Sequence, residues 1–115
     1  MNIACEVLLK EGSRMHMLMV VFRESLKERV HELLHRCDVK AFTEVNETVG
    51  YGQTGPAEGL AFYPGTNSVI LVALDPDHVA RVTRAVRLWY GEAAKHPGWE
   101  KPALRVFSWP TEQVV

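Results

Sequence analysis

The sequence predicts an α+β domain in which four antiparallel strands form one sheet and two helices cover one face of it. Three observations lead to this prediction. The chain has 115 residues, of which 47% are hydrophobic and 23% charged, as expected for one soluble globular domain. Apolar runs of strand length alternate with segments of helical periodicity. Their order along the chain is strand, helix, strand, strand, helix, strand.

The first strand and the first helix are predicted from adjoining segments. Residues 15–22, M-H-M-L-M-V-V-F, form an apolar run of strand length. Ser25 and Glu28 have the spacing of a capping box, which predicts that a helix starts there. Apolar residues then recur at intervals of three and four, which gives the helix one buried face. These residues are Leu26, Val30, Leu33, Leu34 and Cys37.

The two middle strands are separated by an unusually long connection. A strand is predicted over about residues 39–49, where Phe42 and Val45 break simple alternation and indicate a bulge or a bend. The clearest strand covers residues 67–74, N-S-V-I-L-V-A-L. Residues 50–66 lie between them, far more than the ~2–5 residues of an ordinary hairpin loop. Loops of this length are usually functional or disordered.

The second helix has clear start signals. Asp75 is predicted to cap it, and Pro76 occupies the first helical position, where a missing N–H costs nothing. The apolar stripe is expected to end near Gly91. The stripe consists of Val79, Val82, Val86, Trp89, Tyr90 and Ala93.

The last strand completes a known architecture. Residues 95–102 contain two prolines and a glycine and are predicted to be a loop. Residues 104–109 return to a strand pattern, which Pro110 is predicted to end. No internal linker divides the chain. The order of elements therefore predicts a single ferredoxin-like βαββαβ domain.

The first strand is apolar on both sides, which one layer of helices does not explain. Alternation along a strand places side chains on two faces. These faces carry Met17, Met19 and Val21 on one side and Leu18, Val20 and Phe22 on the other. Two helices cover only one of them, so the other face is predicted to meet another subunit.

Composition and charge exclude several classes of function. The net charge is −1, from 13 Lys and Arg against 14 Asp and Glu, and no basic run is long enough to follow a nucleic-acid backbone. No apolar run approaches the ~20 residues that span a bilayer. Glu6 places a charge where a signal peptide would need its apolar centre. We therefore expect a cytoplasmic protein that does not insert into membranes. Cys5 and Cys37 lack a C-x-x-C spacing and are expected to be reduced thiols.

Candidate catalytic and metal-binding groups are sparse. Asp75 and Asp77 are explained by the start of a helix, and Cys37 lies on an apolar stripe, so no acid, base or nucleophile set is recognisable. We therefore predict that the chain is not an enzyme, although the fold alone also accommodates one. His31 and His35 stand four residues apart on a helix, a spacing that suits a metal ion if another subunit supplies a third ligand. The more ordinary interpretation is a solvated helix surface.

A family resemblance accounts for the long loop. The loop opening G-Y-G-Q-T-G, the strands N-S-V-I-L-V-A-L and L-R-V-F-S-W, and the order of elements together resemble the PII-type (nitrogen regulatory) signalling superfamily. The similarity covers residues 15–115 and is nearest to divergent PII-like members. It implies a homotrimer whose T-loop, residues 50–66, contacts a target protein such as a transporter or an enzyme. It also implies clefts between subunits that bind ATP, ADP, AMP or a bicarbonate-like effector, with no permanent cofactor.

The resemblance assigns the effector site to positions that match the family pattern. These positions are Thr43, Gly50, Tyr51, Gly52, Gln53 and Lys101. Lys101 matches a lysine that contacts phosphate, although H-P-G-W-E-K-P replaces the family's glycine-rich loop before the last strand. On spacing alone, the glycines are better explained as a flexible hinge than as N–H groups presented to an anion. Residues 1–14 fall outside the resemblance. The residues K-E-G shortly before Met15 are what a purine-rich ribosome-binding site would encode if it were translated, which suggests that Met15 is the native start.

Overall fold

A computed structural model describes residues 13–50, 65–95 and 101–115. The strands are β1 (Ser13–Arg23), β2 (Thr43–Gly50), β3 (Gly65–Leu74) and β4 (Leu104–Gln113). The helices are α1 (Lys27–Arg36) and α2 (Pro76–Ala94), and a short 3-10 turn over Glu24–Leu26 precedes α1. The strands form one antiparallel sheet in the order β2-β3-β1-β4. The predicted fold class and order of elements are confirmed, while most of the predicted N-terminal extension and T-loop lies outside the described residues.

The core lies between the sheet and the helices. Leu18, Val20 and Phe22 of β1 are almost completely buried. They pack in one cluster with Val30 and Leu34 of α1, as the apolar stripe of that helix predicts. Each such side chain contributes about 1.5–3 kcal/mol through burial. The cluster also contains Val39, Ile70, Val72, Val82 and Leu104.

The start of α1 differs from the prediction. The chain first makes the 3-10 turn, so Leu26 and not Ser25 stands at the helix boundary. No side chain caps that boundary. The predicted capping box of Ser25 and Glu28 is therefore wrong, because the tight turn already includes the serine.

The end of α1 explains why β2 begins later than predicted. The Val39 N–H donates to the Leu34 carbonyl oxygen at 2.9 Å, and the Asp38 N–H donates to that of His35 at 3.1 Å. This pair of bonds is a Schellman motif, with Asp38 in the left-handed region at φ 61°. Val39 thus terminates the helix and packs into the core, and β2 starts only at Thr43.

The predicted irregularity in β2 is confirmed, at a slightly different place. The pairing with β3 shifts between Val45 and Thr48. Glu47 takes φ 57° there, as an extra residue in a bulge often requires. Ser68 Oγ donates to Asn46 Oδ1 at 3.1 Å, which ties the bulged strand to β3.

The start of α2 agrees with the prediction. The Asp75 carboxylate accepts a hydrogen bond from the His78 N–H at 2.9 Å, and Pro76 is the first helical residue. The His78 ring also bonds through Nε2 to the Cys37 carbonyl oxygen at 2.6 Å, which joins α2 to the end of α1. The helix continues past Gly91 to Ala94. No helix among the described residues is long and apolar enough to cross a membrane.

Strand β4 passes through Pro110, which was expected to end it. It continues to Gln113, with Pro110 opposite His16 of β1. Because β4 is an edge strand, alternate N–H positions point away from the sheet, and a proline there costs no ladder bond. The prediction was wrong because sequence alone does not show which strand lies at an edge.

The second face of the sheet is apolar, as the alternation in β1 predicts. Phe107, Met19 and Leu71 lie side by side in one cross-strand row, and Trp109 and Met17 lie in the next. We call this surface the open face. Phe107 and Trp109 are 38% and 41% exposed. Both helices pack in the core cluster on the opposite face.

Candidate functional site

Four strand ends meet at one end of the sheet. Gly50, the last residue of β2, is paired with Gly65, the first of β3. Strand β1 runs parallel to β2 and ends at Arg23, whose N–H donates to the Ala103 carbonyl oxygen at 3.0 Å, just before β4. We call this region the loop end, defined by Arg23, Gly50, Gly65 and Ala103. The segment that joins β2 to β3 therefore starts and finishes here.

The loop end rests on buried polar residues. Asn67 and Ser68 of β3 are both fully buried. The Asn67 carbonyl oxygen accepts a hydrogen bond from Thr48 Oγ1 at 2.8 Å. Together with the bond from Ser68 to Asn46, this contact fixes the bulge just before Gly50. The base of the long loop is thus held by specific hydrogen bonds and not by apolar packing alone.

Lys101 approaches the loop end from the opposite edge of the sheet. It is exposed and lies two residues before Ala103. Strands β2 and β4 are separated by β3 and β1, so three strand spacings of ~4.8 Å place Gly50 and Lys101 roughly 14 Å apart across the sheet. A ligand that contacts both within one chain must span that distance, unless a second chain completes the site.

Thr43, another predicted site residue, lies away from this region within one chain. Thr43 is exposed at the other end of β2, opposite Leu71. At ~3.3 Å per residue it lies about 20 Å along the strand from Gly50. Tyr51, Gly52 and Gln53 lie outside the described residues.

Arg23 is a cation at the loop end that the sequence did not single out. Its side chain is exposed, and it is paired with Asn67 across β1 and β3. A lone arginine between a strand and a helix carries no motif. Only the strand order, which places β1 between β3 and β4, brings Arg23 near Lys101 and the glycine pair.

The two histidines proposed as metal ligands have different surroundings. His31 Nε2 lies 2.6 Å from Glu44 Oε1, and the His31 ring packs edge-on against Phe42 with centroids 5.5 Å apart. His31 thus attaches α1 to β2, whereas His35 is exposed. Within residues 13–50, 65–95 and 101–115, no group of three or more His, Cys, Asp or Glu side chains could hold a metal ion.

Cys37 is the one described thiol, and its surroundings do not activate it. Burial is the main influence and raises the pKa of the Cys37 thiol, with a smaller contribution from Asp38, while Arg81 acts in the opposite direction. A raised pKa keeps the sulfur protonated near neutral pH, and the protonated form is a poor nucleophile.

Two depressions lie on the helical side of the molecule. One, of about 400 Å³, lies between the helices and is lined by residues such as Arg29, Cys37 and Trp89. The other, of about 570 Å³, lies beside α2. Neither depression includes a described residue of the predicted effector site.

Solved structures share this arrangement of strands and helices. The chain superimposes on CPII, a nitrogen regulatory PII-like protein from Thiomonas intermedia K12 bound to ADP, AMP and bicarbonate. The TM-score is 0.64 over 90% of this chain and 96% of that chain, at 17% sequence identity. The chain has the PII-like fold.

Further comparisons agree with the PII-like fold. A PII-like signaling protein from Thermus thermophilus matches with a TM-score of 0.60 and 14% identity, over 90% of this chain and 91% of that one. The apo form of CPII matches with a TM-score of 0.56 and 15% identity, over 90% of this chain and 97% of that one. No protein-family model matches the sequence, and no curated protein matches it. The resemblance found in the loop and strand motifs is thereby confirmed at the level of fold.

Proposed function

We propose that this chain is a PII-like regulatory protein that binds a small effector at the loop end and reports it to a partner protein. The observation that carries the proposal is the structural similarity to CPII, a protein solved with ADP, AMP and bicarbonate. The chain has an architecture that suits this function, because the long connection starts and finishes at a glycine pair on the end of the sheet that also carries Arg23 and Lys101.

The chemistry of the loop end suits an anionic effector. Lys101 and Arg23 supply positive charge, and charge-assisted hydrogen bonds to phosphate or carboxylate are among the stronger ones. We assign Gly50, Tyr51, Gly52 and Gln53 to the effector-binding loop base. An adenine nucleotide is long enough to reach from this base toward Lys101, whereas bicarbonate would occupy only one side.

A second subunit explains the separation of the proposed site residues. Thr43 and Lys101 are each far from Gly50 within one chain, but a neighbouring copy brings a different part of its sheet to the same cleft. We therefore place the effector between subunits of a homotrimer. The open face supplies the apolar surface for that assembly.

Signalling requires that the effector binds one conformation of the loop more tightly than the other. Effector contacts at residues 50–53 favour one arrangement of the loop, residues 50–66, and so change the fraction of molecules that can bind a partner. The partner would be a transporter or an enzyme, and the chain itself would act in the cytoplasm without catalysing a reaction.

Isothermal titration calorimetry with ATP, ADP and AMP, each with and without bicarbonate, tests this proposal. We expect saturable binding at one site per subunit for at least one nucleotide. Lys101→Ala should weaken it about 10-fold or more, because a hydrogen bond to a charged group contributes about 1.5–3 kcal/mol. Gln53→Ala should also weaken it.

Arg84→Ala is the control, since Arg84 is an exposed cation in the middle of α2, on the helical side of the molecule and away from the loop end and Thr43. It should leave the affinity unchanged. The absence of heat with every nucleotide, or equal losses in the Arg84 and Lys101 variants, would reject the effector site.

A further inference from the structure

Helix α2 presents a row of arginines to solvent. Arg81, Arg84 and Arg87 are all exposed and follow one another at intervals of three residues. The buried residues of the helix, Val79 and Val82, face the core. At 100° per residue the three guanidinium groups lie on the outward side and cover about 9 Å of the helix.

The described part of the protein does not neutralise the charge of these arginines. Among the described residues, no carboxylate forms an ion pair with any of the three. Elsewhere on the helices the chain does pair its charges, since Arg36 binds Glu32 at 2.7 Å and Lys95 binds Glu92 at 3.3 Å. The outward side of α2 thus has a local positive charge, although the whole chain carries −1.

The same surface has an apolar point and a depression. Leu88 is 65% exposed, a high value for a leucine in the middle of a helix. The depression of about 570 Å³ is lined by the three arginines together with Ala80, Thr83 and Leu88. We call this surface the arginine face. It combines a row of positive charges with an exposed leucine against which an apolar side chain can pack.

We propose that the arginine face is a docking surface for an acidic segment of a partner protein. Glutamate or aspartate side chains of that segment pair with Arg81, Arg84 and Arg87, and one apolar side chain packs against Leu88. Complementary charge brings the partner to the surface and fixes its orientation. The arginine face is separate from the loop end, and its role does not depend on effector binding there.

Two other kinds of partner fit the surface less well. A helix that lies on a membrane needs a continuous apolar face, and here the apolar face of α2 is turned into the core. Nucleic-acid binding usually neutralises about 6–10 phosphates, whereas this face offers three cations on a chain with no other basic run. The single exposed leucine fits a protein segment best.

A synthetic peptide serves as the probe. It is a fluorescein-labelled helix of about 15 residues with glutamates on one side and one central leucine, a length at which isolated helices begin to form. Fluorescence anisotropy should show saturable binding to the full chain at low salt that weakens as NaCl rises, because exposed ion pairs are screened. A peptide with glutamine in place of glutamate should bind much more weakly.

Substitutions locate the binding surface. The triple variant Arg81→Gln, Arg84→Gln, Arg87→Gln should weaken binding by about 3-fold to 160-fold, the range expected for the loss of three exposed ion pairs. Leu88→Ala should weaken it independently of salt. Lys40→Gln, which removes an exposed charge elsewhere, should have no effect. Circular dichroism checks that each variant remains folded.

Several outcomes overturn the proposal. Equal binding of the glutamate and glutamine peptides, or no loss in the triple variant, removes the role of the arginines. If the wild-type chain does not bind the peptide but binds phosphatidylserine vesicles, and the triple variant does not bind the vesicles, the partner is a membrane. If the triple variant changes only the oligomeric state, the surface is an interface between copies of this chain.

Discussion

Cys37 lies where the two helices meet, and its position decides its chemistry. Its carbonyl oxygen accepts the hydrogen bond from the His78 ring, and the residue is half-buried between the two helices. Burial disfavours the thiolate and is the largest influence on the thiol, so the pKa of Cys37 is raised. Arg81 favours the thiolate but does not overcome burial.

We therefore expect Cys37 to react slowly with iodoacetamide at neutral pH. The rate should be below that of free glutathione and should rise steeply only in alkaline solution, because the thiolate is the reactive form. Mass spectrometry of the peptide that contains Cys37 follows this site separately from Cys5. Arg81→Gln should slow the reaction further. Rapid alkylation of Cys37 at pH 7 in the folded protein would contradict the assignment.

Single residues were predictable where the signal is local. Asp75 and Pro76 mark the start of α2 correctly, because an N-cap and a first-turn proline depend only on the next few residues. Ser25 has the same kind of signal and is not a cap. The difference arises from tertiary structure, since β1 has to turn tightly before α1 can reach the sheet.

Helix α1 ends in a Schellman motif in which an aspartate stands where glycine is usual. Asp38 takes the left-handed conformation of a Schellman motif, where glycine is the common residue. The motif turns Val39 back onto the helix, and both Val39 and Leu34 are buried in the core. The end of this element is therefore stable through packing despite a backbone conformation that costs an L-residue about 1 kcal/mol.

Asp38→Gly should stabilise the protein by about 0.5 kcal/mol. Glycine removes the cost of the left-handed conformation but loses more chain entropy on folding, so only part of the gain remains. Urea denaturation at one fixed protein concentration measures the change. Asp77→Gly is the control, because it places glycine inside the first turn of α2, where it should destabilise. A loss of stability in both variants would show that Asp38 makes a compensating contact.

The limits of the elements were harder to predict than their existence. The sequence placed the start of β2 at about residue 39, because it did not show that Val39 turns back to cap α1. It also ended β4 at Pro110, because edge and central strands look alike in one sequence. Prediction of the candidate site is limited in the same way. Sequence motifs were enough to predict Gly50 and Lys101, whereas Arg23 could be assigned to the site only once the order of the strands was known.

At the scale of the whole molecule, the open face is not covered by either of the helices that the structure describes. The described helices both lie on one side of the sheet, and the open face carries methionines and aromatic side chains in cross-strand rows. The two-sided apolar pattern of β1 leads to the same expectation. Apolar rows of this kind are normally buried in an assembly, so we expect the open faces of several copies to meet.

Light scattering after size-exclusion chromatography tests this expectation. The 13.0 kDa chain should elute as a trimer of about 39 kDa. Phe107→Glu places a charge on the open face beside Met19 and should give monomers, because an unpaired charge in an apolar interface loses its hydration. Leu88→Glu adds the same charge to exposed α2 and should leave the mass unchanged. A monomeric wild-type chain, or a trimeric and folded Phe107 variant, would mean that the open face has another partner.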